Sequence, residues 1–348
     1  MTTTLTSFAV RRRDPELVGP VSPTPRETKR LSDIDDQIGL RWHMPLVFFY
    51  RGGGGGVRHD PVRVVRRALG EALVPYYPLA GRLRELEEGN KKLVVDCTGE
   101  GVADADVRLP EFEAAVAGLL RPPFPRMDQL LFDADGCSSD GVVLGSALLL
   151  VQVTRLLCGG FVLALRLNHT VCDAAGIAQF VSAVGELARG IPAAPTVAPV
   201  WCRELLDARS PPRPSFRHPE YDAFPPEEED MIMRTFTFRP ADPRPSRPLG
   251  DTTRLIVVAG VREVLRLPAG YYGNACVFPA AVPSAGALRR GSLGDAVVLV
   301  QRVKKAAASA EYVRSSADLL VLRGRPRPPL ANLLLVSDNR RAGYNRVD

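Results

Sequence analysis

The sequence of 348 residues is long enough for two domains and too long for a miniprotein held together by disulfides. Hydrophobic residues make up 45% and charged residues 24%, which excludes collagen, coiled coil and wholesale disorder. The net charge of +6 is uneven, because residues 1–230 carry 26 basic and 31 acidic side chains and residues 231–348 carry 19 and 8. The basic last third could attract nucleic acid or an anionic ligand, although a solvated surface explains it as well.

The first elements predicted along the chain are a strand and a helix. The run LRWHMPLVFFY at residues 40–50 is apolar and rich in aromatics, which predicts a buried strand. Five glycines at residues 52–56 follow without a Walker-type lysine, and this indicates a flexible connection. Asp60 and Pro61 then form a helix start, with apolar residues at positions 62, 65, 69 and 73 on one helical face and an end at Pro75.

A hairpin and a helix are predicted in the middle of the chain. Two apolar segments between residues 142 and 167 are separated by a Cys-Gly-Gly turn, a pattern typical of a β-hairpin. The second segment leads directly into NHTVCDAAG, after which a helical pattern runs over residues 180–190. His169 therefore lies where a buried strand gives way to a turn and a helix.

The second half begins after a crossover rich in proline, residues 191–230, which holds nine of the 31 prolines. Mixed strands and helices in each half predict an α/β protein with two layers, each a sheet backed by helices. The second set of elements begins at MIMRTFTFRP (231–240) and includes predicted strands in LIVVAGV (255–261) and LANLLLVSD (330–338) and a predicted helix at residues 295–307.

The motif His169-x-x-x-Asp173 is the candidate for chemistry. A histidine has a pKa near neutrality and, held rigidly at a strand end, can act as a general base toward a bound hydroxyl. The small residues that follow it leave room for a ligand. The same spacing recurs from His218 to Asp222, which we expect in a surface loop. The residues alone leave open that His169 is only a hydrogen-bonded core histidine.

Other sites are not indicated by the sequence. It contains no Gly-x-Ser-x-Gly, His-Glu-x-x-His, Gly-x-Gly-x-x-Gly or Walker motif, which removes the commonest serine hydrolase, zinc protease and nucleotide-binding classes. Six scattered cysteines without metal-binding spacing indicate free thiols. Residues 1–14 have no apolar run long enough for a signal peptide, and the apolar stretch 141–154 is too short to cross a bilayer, so we expect a cytoplasmic protein.

Several longer motifs together resemble the plant BAHD acyltransferase family, whose members move an acyl group from coenzyme A to an alcohol or amine. Within it, the segments TPRETKRLSDID (24–35), PPFPRMDQLLFD (122–133) and PVWCRELLDARSPPRPSF (199–216) are similar to benzyl alcohol O-benzoyltransferases. The motifs shared with the whole family are YYPLAGRL (76–83), VDCTGEGV (95–102), LNHTVCDAAG (167–176) and LPAGYYGN (267–274).

The resemblance implies a two-domain fold like that of chloramphenicol acetyltransferase. We expect an N-terminal domain at 1–190, the crossover at 191–230 and a C-terminal domain at 231–348. A channel between the domains would admit acyl-CoA as co-substrate and a small or aromatic alcohol as acceptor. No permanently bound cofactor, metal, nucleic acid or membrane is expected, and the protein is expected to be a monomer.

The resemblance also implies roles for four residues. His169 would take the proton of the acceptor hydroxyl as its oxygen attacks the thioester, in a ternary complex without an acyl-enzyme. Asp173 would turn away from His169 and pair with an arginine, for which Arg262 is the candidate, so that both support the site structurally. Ser337 would lie near the acceptor pocket.

Two departures from the family pattern favour an alternative. A dozen residues rich in proline and arginine, 243–254, replace a longer segment of the family. The sequence also stops at Asp348, where the family continues with an Asp-Phe-Gly-Trp-Gly motif and further strands. We therefore expect an incomplete second domain, and an inactive remnant that at most binds ligands is the alternative to an active enzyme.

Overall fold

The computed structural model has mixed strands and helices. Several parts of the chain that were discussed above lie outside the described residues: most of the glycine run, the segment 122–133 except residue 130, Cys158 in the predicted turn, the start of the second set of elements at 231–240, and residues 243–251. The residues described are 11–12, 14–52, 60–87, 91–109, 130, 144–156, 159–190, 194–222, 252–326 and 333–344.

The largest sheet among the described residues has six strands and lies in the first half. Its strands are β1 (Arg11–Arg12), β2 (Glu16–Val18), β4 (His43–Tyr50), β7 (Val102–Leu109), β8 (Leu149–Leu156) and β9 (Phe161–Asn168). The predicted hairpin is confirmed, because β8 and β9 are antiparallel and lie at the centre of this sheet. On one side β9 pairs with β4, and on the other β8 runs parallel to β7, which also pairs with β1 and β2.

Two helices cover one face of this sheet. They are α1 (Pro61–Ala72) and α2 (Ala174–Ala188), which pack side by side. The four positions predicted to share a face of α1 are buried. Side chains at alternate positions of β8 and β9 belong to the same core cluster as both helices. This arrangement follows from the two-residue period of strands, which sends every second side chain toward the helices.

Two predictions for this half need correction. The strand β4 is half-buried rather than buried, because among the described residues it is the last strand of the sheet and is paired at one edge, with β9. The helix α2 begins at Ala174 and not at residue 180, because Asp173 accepts hydrogen bonds from the backbone N–H groups of Ala175 and Gly176 and caps the helix there.

The first half also contains a second, smaller sheet, and the crossover follows it in the chain. The three strands of this sheet are, in order, β3 (Thr28–Arg30), β6 (Leu93–Asp96) and β5 (Arg82–Glu85). The described part of the crossover, 194–222, contains two short 3₁₀ helices, Arg203–Leu206 and Pro219–Tyr221. These two turns place Leu206 and Tyr221 in the core of the second half.

The described part of the second half, 252–326 and 333–344, has small sheets and three helices. The predicted strand 255–261 is wrong as a single element, since it divides between two sheets at Val258. The strand β10 (Arg254–Val257) lies between β13 (Ala280–Ala281) and β14 (Leu333–Val336), whereas β11 (Ala259–Gly260) pairs with β12 (Cys276–Val277). The helices are α3 (Ala285–Arg290), α4 (Leu293–Ala307) and α5 (Ala310–Leu322).

The expected helix at 295–307 is observed as α4, and it starts two residues earlier because Ser292 and Asp295 form a capping box. The helix α5 was not anticipated from the sequence, although it supplies much of the second core, including Tyr312 and Leu320. Among the described residues, no helix combines the length and the apolar character that crossing a membrane requires.

Candidate active site

His169 lies in the turn between β9 and α2. Its backbone N–H donates to the carbonyl of Trp42 at 2.9 Å, and its carbonyl accepts from the side-chain amide of Asn274 at 2.8 Å. The imidazole is half-buried, with its centroid 6.0 Å from that of the Trp42 ring. Its Nδ1 atom is buried and has no hydrogen-bond partner among the described residues. The backbone of His169 is thus fixed from both halves of the chain.

Both carboxylate oxygens of Asp173 accept hydrogen bonds from groups other than His169. Its carboxylate caps α2 through two backbone N–H groups, as described above, and accepts from the backbone N–H of Ala275 at 3.0 Å. Arg262 donates to both carboxylate oxygens at 2.7 Å. None of the hydrogen bonds described for Asp173 goes to the imidazole of His169. The arrangement is therefore not a catalytic triad.

Arg262 ties the second half to the start of α2. Besides Asp173, its guanidinium donates to the carbonyl of Gly273 at 2.8 Å. Burial by itself lowers the pKa of Arg262, but the hydrogen bonds and the charge of Asp173 outweigh that effect, so the pKa lies above its ordinary value. The structure thus brings the two predicted supporting residues into direct contact, 89 positions apart in the chain.

The start of α2 packs closely against the backbone of residues 271–274. A Cβ atom on Gly176 would lie 2.0 Å from the carbonyl oxygen of Tyr272 and 2.7 Å from Cβ of Cys172. Real atoms do not approach this closely, and only glycine fits. The motifs LNHTVCDAAG and LPAGYYGN therefore form one packed unit around His169, although they lie about 100 positions apart in the sequence.

Three residues of this region were not singled out from the sequence: Asp35, Arg203 and Asn274. All three are buried, and they form a hydrogen-bonded group that reaches the backbone of the His169 turn. Each lies within a segment that carried the family resemblance. Sequence patterns identify such segments, but a buried charge that pairs across 168 positions leaves no local signal.

Ser337 follows β14 on an exposed stretch. Its hydroxyl donates to the side chain of Asn339 at 3.2 Å. The structure shows no contact between Ser337 and His169, Asp173 or Arg262. Its assignment to an acceptor pocket stays a prediction.

The second motif, from His218 to Asp222, is placed differently from our expectation. His218 is 3% exposed and not in a surface loop. Its Nδ1 lies 2.9 Å from a carboxylate oxygen of Glu220 and its Nε2 lies 2.8 Å from the hydroxyl of Ser315 on α5. Nδ1 is thus paired within the crossover and Nε2 with the second half, which leaves neither nitrogen for a substrate.

Other candidate sites are not supported by the described residues. The four described cysteines are free, and burial raises the pKa of the Cys172 and Cys276 thiols well above the ordinary value, which makes them unreactive. No described group of His, Cys, Asp or Glu side chains has an arrangement that holds a metal ion. A surface cleft of about 350 Å³ between α3 and α4 is lined by none of the predicted site residues.

Known structures share this fold. The chain superposes on vinorine synthase with a TM-score of 0.62 at 18% identity, over 94% of this chain and 83% of that one. It superposes on TRI101 of F. graminearum, in complex with ethyl coenzyme A, with a TM-score of 0.64 at 12% identity, over 90% and 84%. The predicted α/β fold of the chloramphenicol acetyltransferase type is confirmed. The domain boundaries at 190 and 230 stay predictions.

Curated relatives match almost the whole chain. A benzyl alcohol O-benzoyltransferase of Petunia hybrida is 45% identical over 384 residues, covering 98% of this chain and 81% of that enzyme. Alcohol acyl transferase 1 allele GSa of Malus domestica is 43% identical over 388 residues, covering 97% of this chain and 82% of that enzyme. Because these alignments exceed 348 residues, the relatives carry residues inside the match that this chain lacks.

A family model agrees with these relatives. The Transferase family model matches residues 8–242, which include His169 and Asp173. Together with the 45% identity over nearly the full chain, this match shows that the chain belongs to the Transferase family, the BAHD acyltransferases.

Proposed function

We propose that this chain transfers an acyl group, of the benzoyl or acetyl type, from acyl-CoA to the hydroxyl of a small or aromatic alcohol, with His169 as general base. The names of the relatives support the reaction class, because they act as benzyl alcohol O-benzoyltransferases and alcohol acyl transferases. The placement of His169 supports the assignment of the base. The chain is proposed to work as a cytoplasmic monomer that binds neither nucleic acid nor membrane.

The reaction needs one proton acceptor and no covalent enzyme intermediate. A nitrogen of His169 takes the proton of the alcohol while the alcohol oxygen attacks the thioester carbonyl. The tetrahedral intermediate then collapses, the carbon–sulfur bond breaks, and the coenzyme A thiolate receives the proton back from the imidazolium. The products are an ester and the free thiol of coenzyme A, so that charge and protons balance.

The observation that carries this proposal is the burial of one nitrogen, Nδ1, of the His169 ring. Nδ1 is buried and has no hydrogen-bond partner among the described residues, so we infer that the substrate hydroxyl meets Nε2. A neutral imidazole that accepts a proton at Nε2 carries its own proton on Nδ1. Asp173 is held by Arg262 and the start of α2, so it acts as a support for the turn and not as a partner of the ring.

The test is release of free coenzyme A thiol from benzoyl-CoA or acetyl-CoA. We expect release by the purified chain only when an alcohol such as benzyl alcohol is present, since a ternary mechanism has no acyl-enzyme to form beforehand. His169→Ala should lower it by at least about 100-fold, the scale of a general base. Thiol release that precedes alcohol addition in a stoichiometric burst would contradict the direct mechanism.

The same experiment decides the alternative of an inactive remnant. A folded chain that melts cooperatively and is stabilised by coenzyme A, yet shows no turnover with either acyl-CoA over a panel of alcohols, would favour a protein that only binds ligands. Turnover that depends on His169 would exclude that alternative.

A further inference from the structure

We propose that Asp35 and Arg203 are positioning residues that fix the backbone of the turn carrying His169, and that they act on the rate of the transfer step without touching either substrate. This inference rests on the proposed function, since His169 is the base that they position. It concerns a buried ion pair that lies apart from the Asp173–Arg262 pair and holds a different part of the turn.

The ion pair is buried and joined directly to the turn. Nη1 of Arg203 donates to the two carboxylate oxygens of Asp35 at 3.0 and 3.1 Å, and the side chains are 2% and 0% exposed. The other terminal nitrogen, Nη2, donates to the carbonyl of Val171 at 2.8 Å. One guanidinium therefore links the loop around Asp35 to a carbonyl two residues beyond His169.

Asn274 makes a second link from the same carboxylate. Its backbone N–H and its side-chain amide each donate to Oδ1 of Asp35 at 2.9 Å. The same side-chain amide donates to the carbonyl of His169 at 2.8 Å. The carbonyls of residues 169 and 171 are thus both tied to Asp35, each through a single intervening side chain.

Asp35 itself has a fixed orientation. Its Oδ2 accepts from the backbone N–H of Ser32 at 3.1 Å and from the Ser32 hydroxyl at 2.7 Å, and the Ser32 hydroxyl in turn accepts from the backbone N–H of Asp35. Both carboxylate oxygens are occupied by donors from three parts of the chain. A neutral or shorter side chain at this position cannot hold all of them.

The guanidinium of Arg203 has little room to move. Its central carbon lies 4.2 Å from the centroid of the Trp201 ring and 5.1 Å from that of Tyr272. A Cβ atom on Gly273 would lie 1.7 Å from Nη1, so glycine at this position is what admits the side chain. Burial lowers the pKa of Arg203 by itself, but the attraction of Asp35 outweighs it and raises the pKa above its ordinary value.

A comparable ion pair elsewhere provides the control. Arg209, also in the crossover, donates through Nε to Asp318 at 2.7 Å, and Asp318 is 0% exposed. This pair joins the crossover to α5, and the contacts described for it do not include the His169 turn. Replacing it should also cost stability, although less than at Arg203 because Arg209 is 34% exposed, without changing the geometry of the base.

The experiment compares matched variants of the full chain: Arg203→Lys and Asp35→Asn against Arg209→Lys and Asp318→Asn. A misplacement of the base by about 1 Å costs on the order of 100-fold in rate. We expect Arg203→Lys and Asp35→Asn to lower kcat by about that factor, with the KM values for acyl-CoA and alcohol within a factor of about three. The double variant should lose no more than either single variant, because the two residues act as a unit.

A second measurement does not depend on activity. Hydrogen exchange of the amides in peptides covering residues 168–175 should become about tenfold faster in Arg203→Lys and Asp35→Asn, the factor that accompanies loss of one hydrogen bond. The Arg209→Lys and Asp318→Asn variants should leave it unchanged. Asp35→Asn keeps the shape of the side chain and is the variant to use if Arg203→Lys does not fold.

The outcomes separate this inference from the proposed function. Equal losses of kcat in the Arg203 and Arg209 variants, or faster exchange in both, would overturn the positioning role. The wild-type chain could instead show no turnover, while hydrogen exchange at residues 168–175 becomes faster only in the Arg203 and Asp35 variants. That result would contradict the proposed function and support the structural link between the ion pair and the turn.

Discussion

Replacement of Asp173 should be among the most destabilising single changes in this chain. In Asp173→Ala, loss of the helix cap costs about 1 kcal/mol. The guanidinium of Arg262 then keeps only the Gly273 carbonyl, and because it is 28% exposed the cost lies toward the low end of the about 3–5 kcal/mol for breaking a buried pair. The N–H of Ala275 also loses its acceptor. The total is a large part of a stability of about 5–15 kcal/mol.

Asp173→Asn separates these contributions. The asparagine oxygen can still cap α2 and accept from Nη2 of Arg262. The amide nitrogen that replaces Oδ2 cannot accept from Nη1 of Arg262 or from the N–H of Ala275, so we expect a smaller loss of about 3 kcal/mol. Urea unfolding followed by far-ultraviolet circular dichroism measures both losses. Asp338→Ala, at an exposed pair with Arg340, is the control and should leave the midpoint unchanged. A loss below about 1 kcal/mol in Asp173→Ala would refute the structural role.

Two further predictions concern packing and thiol chemistry. Gly176→Ala should lower the melting temperature, because the added Cβ collides with the Tyr272 carbonyl. Gly260→Ala is the control and should not lower it, because a Cβ there meets nothing within 4 Å. Equal melting curves for the two variants would show that the contact at Gly176 is not tight. Cys172 and Cys276 should resist iodoacetamide in the native protein and react once it is unfolded, since burial raises their thiol pKa. Mass spectrometry of peptides labelled under native conditions checks this, and labelling of either cysteine at the rate of the unfolded chain would contradict it.

The sequence was informative where local patterns determine structure. The face of α1 followed from apolar residues at helical spacing, and the hairpin of β8 and β9 followed from two apolar runs around a glycine turn. The position of His169 at the end of β9 followed in the same way. The partnership of Asp173 with Arg262, by contrast, came from the family resemblance, because no local pattern specifies a contact across 89 positions.

The incorrect and missing sequence predictions have a common physical cause, which is contact between residues far apart in the chain. The burial of His218 depends on Glu220 and on Ser315, which is 97 positions away on α5, so composition alone suggested a surface loop. Asp35 and Arg203 are charged residues in the interior, a place where they occur only when paired, and the pairing is visible only in the folded chain. The division of 255–261 into two strands likewise depends on which neighbours are available on each side of Val258.

Thiol release from benzoyl-CoA with benzyl alcohol, measured for His169→Ala and for His218→Gln, decides whether His169 is the base. Both histidines begin a motif of the same spacing, and both variants are compared as folded protein below their melting temperatures. We expect His169→Ala to lose turnover by at least about 100-fold, the scale of a general base, and His218→Gln to keep it. Turnover that survives in His169→Ala, or that is lost equally in both variants, would contradict the assignment of His169 as the base.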